Sequence, residues 1–211
     1  VLPEAYMFNI AQYVRNGGAV LIASGPDLAA DDGLYSTPLS DIMAAVPTGD
    51  VIEQPFKPQL TDQGKKHPVT KDLPQSGGEN PSWGRWFRLI EVTQRAGQVL
   101  MSGPDDKPLL VLDRVGQGRV AVLASDQSWL WGKGFEGGGP QLELLRRLAH
   151  WMLKQPELEE ESLGAVALGQ SLTITRRTIL DAAPPDVTVT LPDGSTTPLP
   201  LHQTAPGLYQ A

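Results

Sequence analysis

Cysteine is absent from this 211-residue sequence, and its absence excludes several kinds of chemistry. Without thiols the chain cannot build a disulfide framework, a thiolate zinc site or a cysteine nucleophile. Long apolar runs are also lacking, since no stretch approaches the roughly 20 apolar residues that span a bilayer. No secretory signal sequence is recognisable. We therefore expect no direct membrane insertion, while the cellular compartment stays open because cysteine-free proteins occur on both sides of a membrane.

Positive charge is in short supply as well. The 17 lysines and arginines are outnumbered by 24 aspartates and glutamates, which gives a formal net charge of −7. An acidic balance of this kind argues against nucleic acid as a partner. The apolar share of 40% is sufficient for a hydrophobic core. The length allows one large domain or two small ones.

The chain is organised around residues 115–153, which predict a turn, a strand, a glycine-rich loop and a helix. In the strand, Val120 and Val122 fall on one face and Ala121 on the other, so both faces are apolar. This pattern is typical of a strand that is buried on both sides. Polar residues beginning with Ser125 follow the strand. In open α/β sheets, ligands bind at that end of a strand.

The first residues predict half of a βαβ unit. A helix is expected over 3–15, Gly17 and Gly18 end it, and a short apolar strand follows over 19–23. The expected inward face of the helix consists of Tyr6, Ile10, Tyr13 and Val14. The strand that should precede such a helix is not in the sequence, and we therefore expect a fragment of a larger protein.

Further elements follow from periodicity and turn signals. A short helix is expected over 38–45, and strands are expected over 87–92, 98–101, 109–113 and 119–125. The last two strands flank a tight glycine turn, which predicts an antiparallel hairpin and hence a mixed sheet. A terminal helix is expected over 141–154. Its predicted apolar stripe consists of Leu142, Leu145, Leu148, Ala149 and Met152.

The composition changes after the terminal helix. Residues 156–163 are acidic and predict a solvated linker between domains. Residues 164–211 show a period of two, with Pro192, Asp193 and Gly194 as a turn signal. This pattern predicts a partial β-sandwich of the immunoglobulin-like type, because about 48 residues supply too few strands to close a sandwich alone.

Several motifs carry a resemblance to a known superfamily. They are YVRNGGAVLIASGP over 13–26, the His67-containing loop HPV, and GQGRVAVLASD over 116–126. Together they resemble class I glutamine amidotransferase-like domains of bacterial membrane-associated proteins, and also their ThuA-like relatives. The resemblance covers residues 2–155. It implies a flavodoxin-like, mostly parallel sheet flanked by helices, within a domain over 1–155.

The resemblance also implies where the domain works. Its relatives are soluble domains of membrane-associated proteins, with the periplasm as one candidate compartment. A protein partner, or other domains of the same parent chain, would then bind the module.

The sequence departs from the catalytic members of this superfamily. They carry a nucleophilic cysteine on a sharp turn after one strand and a His-x-Glu pair after a later strand, and the histidine manages the proton. Here the first turn holds Ser24 and Gly25, and the second holds Ser125, Asp126 and Gln127. The sequence therefore predicts a non-catalytic binding or interaction module without catalytic residues, cofactor or metal site.

Two alternatives stay open. In one, the chain is a hydrolase or amidotransferase that uses Ser24 as nucleophile, which requires an adjacent base. In the other, the loop after the central strand binds a sugar or another small polar ligand between aromatic rings, unless those rings plug the core. The candidate ligand-binding residues are Ser24, Gly25, Asp126, Gln127, Trp129 and Trp131.

Two further groups carry charge without a clear role. His67 precedes proline in a loop, where a histidine is usually solvated, although it could act as a base or ligand. Arg85, Arg88 and Arg119 are predicted to cluster beside the aromatic residues of 83–87. Such a cluster would either pack by cation–π contacts or bind an acidic ligand.

Overall fold

A computed structural model of the chain describes residues 3–78, 80–180 and 182–211. Val1, Leu2, Glu79 and Asp181 lie outside the described residues, so the first residue of the predicted resemblance is not covered. The helices and strands are, in chain order, α1 (Glu4–Arg15), β1 (Ala19–Ala23), β2 (Ala45–Ile52), β3 (Gln59–Leu60), α2 (Asp62–Lys66), β4 (Leu89–Gln94), β5 (Gln98–Ser102), β6 (Pro108–Val115), β7 (Gly118–Leu123), α3 (Trp129–Gly132), α4 (Gln141–Met152), β8 (Ser162–Leu168), β9 (Ser171–Arg177), β10 (Val187–Thr190), β11 (Thr196–Leu199), β12 (His202–Ala205) and β13 (Leu208–Gln210).

The main sheet has five strands in the order β1-β7-β6-β5-β3. β1 and β7 run parallel, with Leu21 opposite Ala121. The other neighbouring pairs run antiparallel, and β6 and β7 form the predicted hairpin. The molecule is thus of mixed α/β class. Its main sheet is mixed, as the hairpin predicts, with one parallel and three antiparallel pairs, whereas the resemblance implies a mostly parallel sheet. Every residue of β7 is buried, which agrees with its apolar pattern on both faces.

Helices α1 and α4 pack against this sheet through faces that only partly match the predicted ones, since Val14 and Leu148 are buried as expected. α1 buries Met7, Ala11 and Val14, whereas Tyr6 and Tyr13 are exposed. The helix lies so close to β7 that a Cβ on Gly118 would stand 1.9 Å from the Val14 carbonyl oxygen. Small residues must therefore line the contact, and the large aromatic residues are turned outward.

The terminal helix α4 also buries a face that differs in part from its predicted stripe. α4 buries Leu144, Leu148 and Trp151, while Leu142 of the predicted stripe is 84% exposed. Trp151 was not placed in the stripe, yet its ring is fully buried. A helix with leucines on most of its surface has a broad apolar arc, and the partner that covers it decides which side is inward.

The segment between β1 and β4 differs from its prediction. The expected helix over 38–45 is a 3₁₀ turn over Pro38–Ile42, and β2 begins directly afterwards. β2 pairs antiparallel with β4 in a separate two-stranded sheet. Pairing with a strand some 40 residues away, rather than local pattern, imposes the extended conformation on β2.

The last part of the chain consists of antiparallel sheets. One has the order β12-β13-β9-β8, and the other is the β10–β11 pair, whose turn contains the predicted Asp193 and Gly194. β8 begins inside the predicted linker. The division of the chain into domains at 155 and 164 stays a prediction. Over the described ranges, no helix has the length and apolar character that a membrane span requires.

Candidate functional site

The ends of β1 and β7 meet at one edge of the sheet, because the two strands run parallel. The Ser24 N–H donates a hydrogen bond to the Leu123 carbonyl oxygen at 3.0 Å. Next to it, Gly25 lies so near the second turn that a Cβ there would stand 3.1 Å from an oxygen of Asp126. The structure therefore brings together the two turns that the sequence singles out.

The side chains of the second turn bind neighbouring parts of the fold. Asp126 forms an ion pair with Arg88 at 3.1 Å. The Ser125 hydroxyl donates to the Arg88 carbonyl oxygen at 2.7 Å. The side-chain oxygen of Gln127 accepts from the Phe87 N–H at 2.6 Å. These contacts attach the turn to the segment that leads into β4, and they occupy the polar groups that a ligand would otherwise engage.

The two tryptophans of the adjacent helix α3 have different surroundings. Trp131 is only 3% exposed, its indole N–H donates to the Gly84 carbonyl oxygen at 2.8 Å, and its ring lies 4.6 Å from that of Trp86 and 5.1 Å from that of Trp83. Trp129 is 54% exposed. Trp131 therefore belongs to the core, as the alternative in which the rings plug the core expects, whereas Trp129 faces solvent.

The predicted arginine cluster is divided between two places. Arg85 pairs with Glu136 and lies over the Phe87 ring at 5.9 Å. Arg119 is buried elsewhere, with its guanidinium over the Trp151 ring at 5.0 Å. A joint site for an acidic ligand would need these cations together, and that expectation is contradicted. The separation follows from the strand direction, since Arg119 begins β7 and the aromatic segment lies at its end.

In the described part of the chain, no hydrogen bond joins the Ser24 hydroxyl to a histidine or a carboxylate. His67 pairs with Glu160, His150 lies beside Arg146 on α4, and His202 lies in β12. A serine nucleophile requires a base within hydrogen-bond reach. The geometry at the end of β1 lacks this arrangement, and the ligand-binding role of the six candidate residues stays a prediction.

A buried polar cluster lies at the opposite end of the sheet, and the sequence did not predict it. His67 Nδ1 accepts a hydrogen bond from the Val69 N–H at 3.1 Å. This contact places the proton on Nε2, which donates to Glu160 Oε1 at 3.1 Å. The same carboxylate oxygen accepts from the Trp151 indole N–H at 2.8 Å. Its second oxygen pairs with Arg114. Glu160 is therefore held by three side chains, which come from the loop after α2, from α4 and from β6.

Arg119 extends this cluster. Its guanidinium donates to the Trp151 carbonyl oxygen and pairs with Glu159. Glu159 and Glu160 of the predicted solvated linker are thus bound to β6, β7 and α4, and the expectation that the run is solvated is wrong for these two residues. His67, which was expected to be solvated, is buried. His67 and Glu160 are 93 residues apart in the sequence, so no local sequence pattern predicts their contact. The acidic run itself was visible in the sequence, and its pairing with arginines was compatible with the composition.

The stability of the fold should decrease as the pH falls below neutrality. Burial lowers the pKa of His67, and this outweighs the opposite effect of Glu160. The unfolded chain therefore takes up its proton first, near the ordinary value of about 6.5. The contribution of neutral His67 to the free energy of unfolding is therefore complete above that pH and is lost progressively below it. Urea unfolding at a series of pH values between 8 and about 5 tests this, over the range where histidine titrates.

A second group extends the loss to lower pH. Burial alone would raise the pKa of Glu160, yet the hydrogen bonds from His67 and Arg114 outweigh it and lower the pKa.

His67→Gln is the matched control for the prediction on His67, because glutamine keeps a donor to Glu160 but does not titrate. Its profile should be flatter between pH 7 and about 5.5, where histidine changes charge. A wild-type free energy of unfolding that rises on acidification over this range would contradict the assignment.

In the described residues, no group of three or more histidine, cysteine, aspartate or glutamate side chains is arranged to hold a metal ion. No known protein family matches the sequence, and no curated protein is similar to it.

Solved structures do share the fold. A cytoplasmic protein from Salmonella typhimurium is similar over 69% of this chain and 59% of its own, with 20% identity and a TM-score of 0.56. A second cytoplasmic protein, from Salmonella typhimurium LT2, is similar over 72% of this chain and 62% of its own, with 24% identity and a TM-score of 0.54. This chain thus spans about three fifths of the length of each.

A beta-galactosidase from Rahnella sp. R3 is also similar, over 97% of this chain and 30% of its own, with 16% identity and a TM-score of 0.45. At these identities the likeness to the two Salmonella proteins concerns the fold alone, and the likeness to the beta-galactosidase supports no inference. The comparisons therefore agree with the mixed α/β architecture and assign no activity.

Proposed function

We propose that this chain is a non-catalytic, amidotransferase-like module that acts by binding other protein. The observation that carries the proposal is the environment of Ser24. It stands on the turn after β1 where the resemblance implies a nucleophile, and among the described residues its hydroxyl is hydrogen-bonded to no histidine or carboxylate. The polar groups of the facing turn are bonded to the fold through Arg88 and Phe87.

We also propose the finer fold that the resemblance implies. The α/β part would be flavodoxin-like, which is supported by the parallel β1–β7 pair and by α1 leading into β1. The antiparallel part over 162–211 would be an incomplete immunoglobulin-like sandwich, which is supported by its two antiparallel sheets. A protein partner, including other domains of a membrane-associated parent, would complete the assembly.

The absence of glutamine chemistry can be tested directly. Incubation of the purified chain with L-glutamine should release no ammonia above a buffer blank, because neither a thiolate nor an activated serine is available. Ser24→Ala should give the same result, and a free glutaminase measured alongside confirms that the assay works. Ammonia release that Ser24→Ala abolishes would show that the chain is an enzyme and would overturn the proposal.

A further inference from the structure

Strand β1 is bonded on one side only. In the described sheet it is the edge strand, and β7 is its single neighbour. The Ser24 N–H and the Gly18 carbonyl both bond towards β7. Because successive residues of a strand direct their backbone groups to alternate edges, the N–H and C=O of Ala19, Leu21 and Ala23 point away from β7. An unpaired row of this kind is a template for another strand.

The open edge is bordered by apolar cavities along its whole length. At the start of β1, a cavity of about 470 Å³ is lined by Ala19, by Tyr13 of α1, and by Met152 and Leu153 of the α4 end. At the end of β1, a second cavity of about 460 Å³ is lined by residues 20–25 together with apolar side chains of α1 and the loop after β1. Tyr13 and Leu153, which line the first cavity, are exposed.

The two ends of this edge carry opposite charges. Lys154 lines the cavity at the start of β1, and its amine lies 3.3 Å from where a Cβ of Gly17 would stand. Asp27 lines the cavity at the other end, where the Asp126 carboxylate approaches Gly25. A strand that pairs with β1 in the antiparallel direction, and that has the same charge order, would therefore meet opposite charge at both ends.

From this charge order we infer that the occupant of the edge is a second copy of this chain, whose β1 pairs antiparallel with the first around a two-fold axis at Leu21. The inference rests on the proposed binding function and names its partner. In this register Ala19 lies opposite Ala23 of the second copy, so that all the outward backbone groups are paired. Gly17 lies opposite Gly25 of the second copy, which brings Lys154 near the acidic end. The interface is isologous, as two-fold dimers require.

Sedimentation equilibrium of the 211-residue chain tests the dimer. The expected species at high concentration has twice the 22.7 kDa mass of one chain. Ala23→Pro removes an outward N–H and keeps the bonds to β7, so it should weaken the dimer about 30-fold or more through the two lost hydrogen bonds. Ala23→Val keeps the N–H and should dimerise as the wild type does. A monomer at every concentration, or a dimer that Ala23→Pro leaves unchanged, would overturn the inference.

Charge exchange provides a second test that does not depend on the backbone of β1. Lys154→Glu and Asp27→Lys should each weaken self-association, since each variant places like charges at both ends of the interface. Their mixture should restore a heterodimer, because the exchanged charges again face opposite ones. Failure of the mixture to associate would overturn the two-fold arrangement and point to another occupant, such as an extended segment of a different protein. The masses measured in these association experiments do not depend on catalysis. The dimer can therefore be disproved without affecting the proposed non-catalytic function, and the glutamine assay can disprove that function without affecting the dimer.

Discussion

Trp131→Ala should destabilise the fold by about 3–5 kcal/mol, the cost of truncating a buried aromatic side chain. The ring is nearly inaccessible and lies between Trp83 and Trp86. Truncation would leave a cavity and would also remove the donor to the Gly84 carbonyl oxygen. Urea unfolding followed by tryptophan fluorescence and circular dichroism measures the effect.

Trp129 is the matched control for this prediction. It belongs to the same short helix but is more than half exposed, so Trp129→Ala should change the stability by less than about 1 kcal/mol. Equal losses at both positions would mean that the two rings share one environment. That result would contradict the assignment of Trp131 to the core and Trp129 to the surface.

Glu160→Ala should have an effect of similar size, about 3–5 kcal/mol, because it removes one partner from a buried ion-paired network. The substitution leaves the His67 imidazole N–H and the Trp151 indole N–H buried without their acceptor. It also removes one of the two carboxylates that pair with Arg114 and leaves only Glu159. We expect the unfolding midpoint in urea to fall. The pH dependence that is assigned to His67 should remain, because burial lowers the pKa of His67 and Glu160 opposes that effect.

Glu157 supplies the control in the same acidic run. Its side chain is exposed, and Glu157→Ala should therefore lie within about 0.5 kcal/mol of the wild type. If Glu157→Ala and Glu160→Ala were equally mild, the run would behave as the solvated linker that its composition predicts. The buried cluster would then not hold the segment in place.

The sequence predicts the elements of this fold better than their contacts. β1 has the predicted bounds, and the β6–β7 hairpin follows from a glycine turn between apolar runs. Such signals are local, because they depend on residues close together in the chain. The buried faces of α1 and α4 were not predictable in this way, since both helices carry apolar residues over a wide arc. The close approach at Gly118 decides the orientation of α1.

The candidate site shows the same limit. The meeting of Ser24 with the turn at Asp126 follows from two parallel strands that end together, and sequence reasoning found it. The pairing of Asp126 with Arg88 and the burial of Trp131 depend on the segment before β4, whose position no local pattern fixes. The His67–Glu160 contact joins residues from distant parts of the chain, and only packing brings them together.

The central claim is that the polar groups where β1 and β7 end stabilise the fold and perform no chemistry. Labelling of the native chain with a fluorophosphonate, which reacts with activated serines whatever their substrate, tests it most directly. The account predicts no adduct on Ser24 when the labelled protein is digested and analysed by mass spectrometry. A Ser24 adduct that forms in the native protein, and that does not form when the protein is unfolded before labelling, would contradict it.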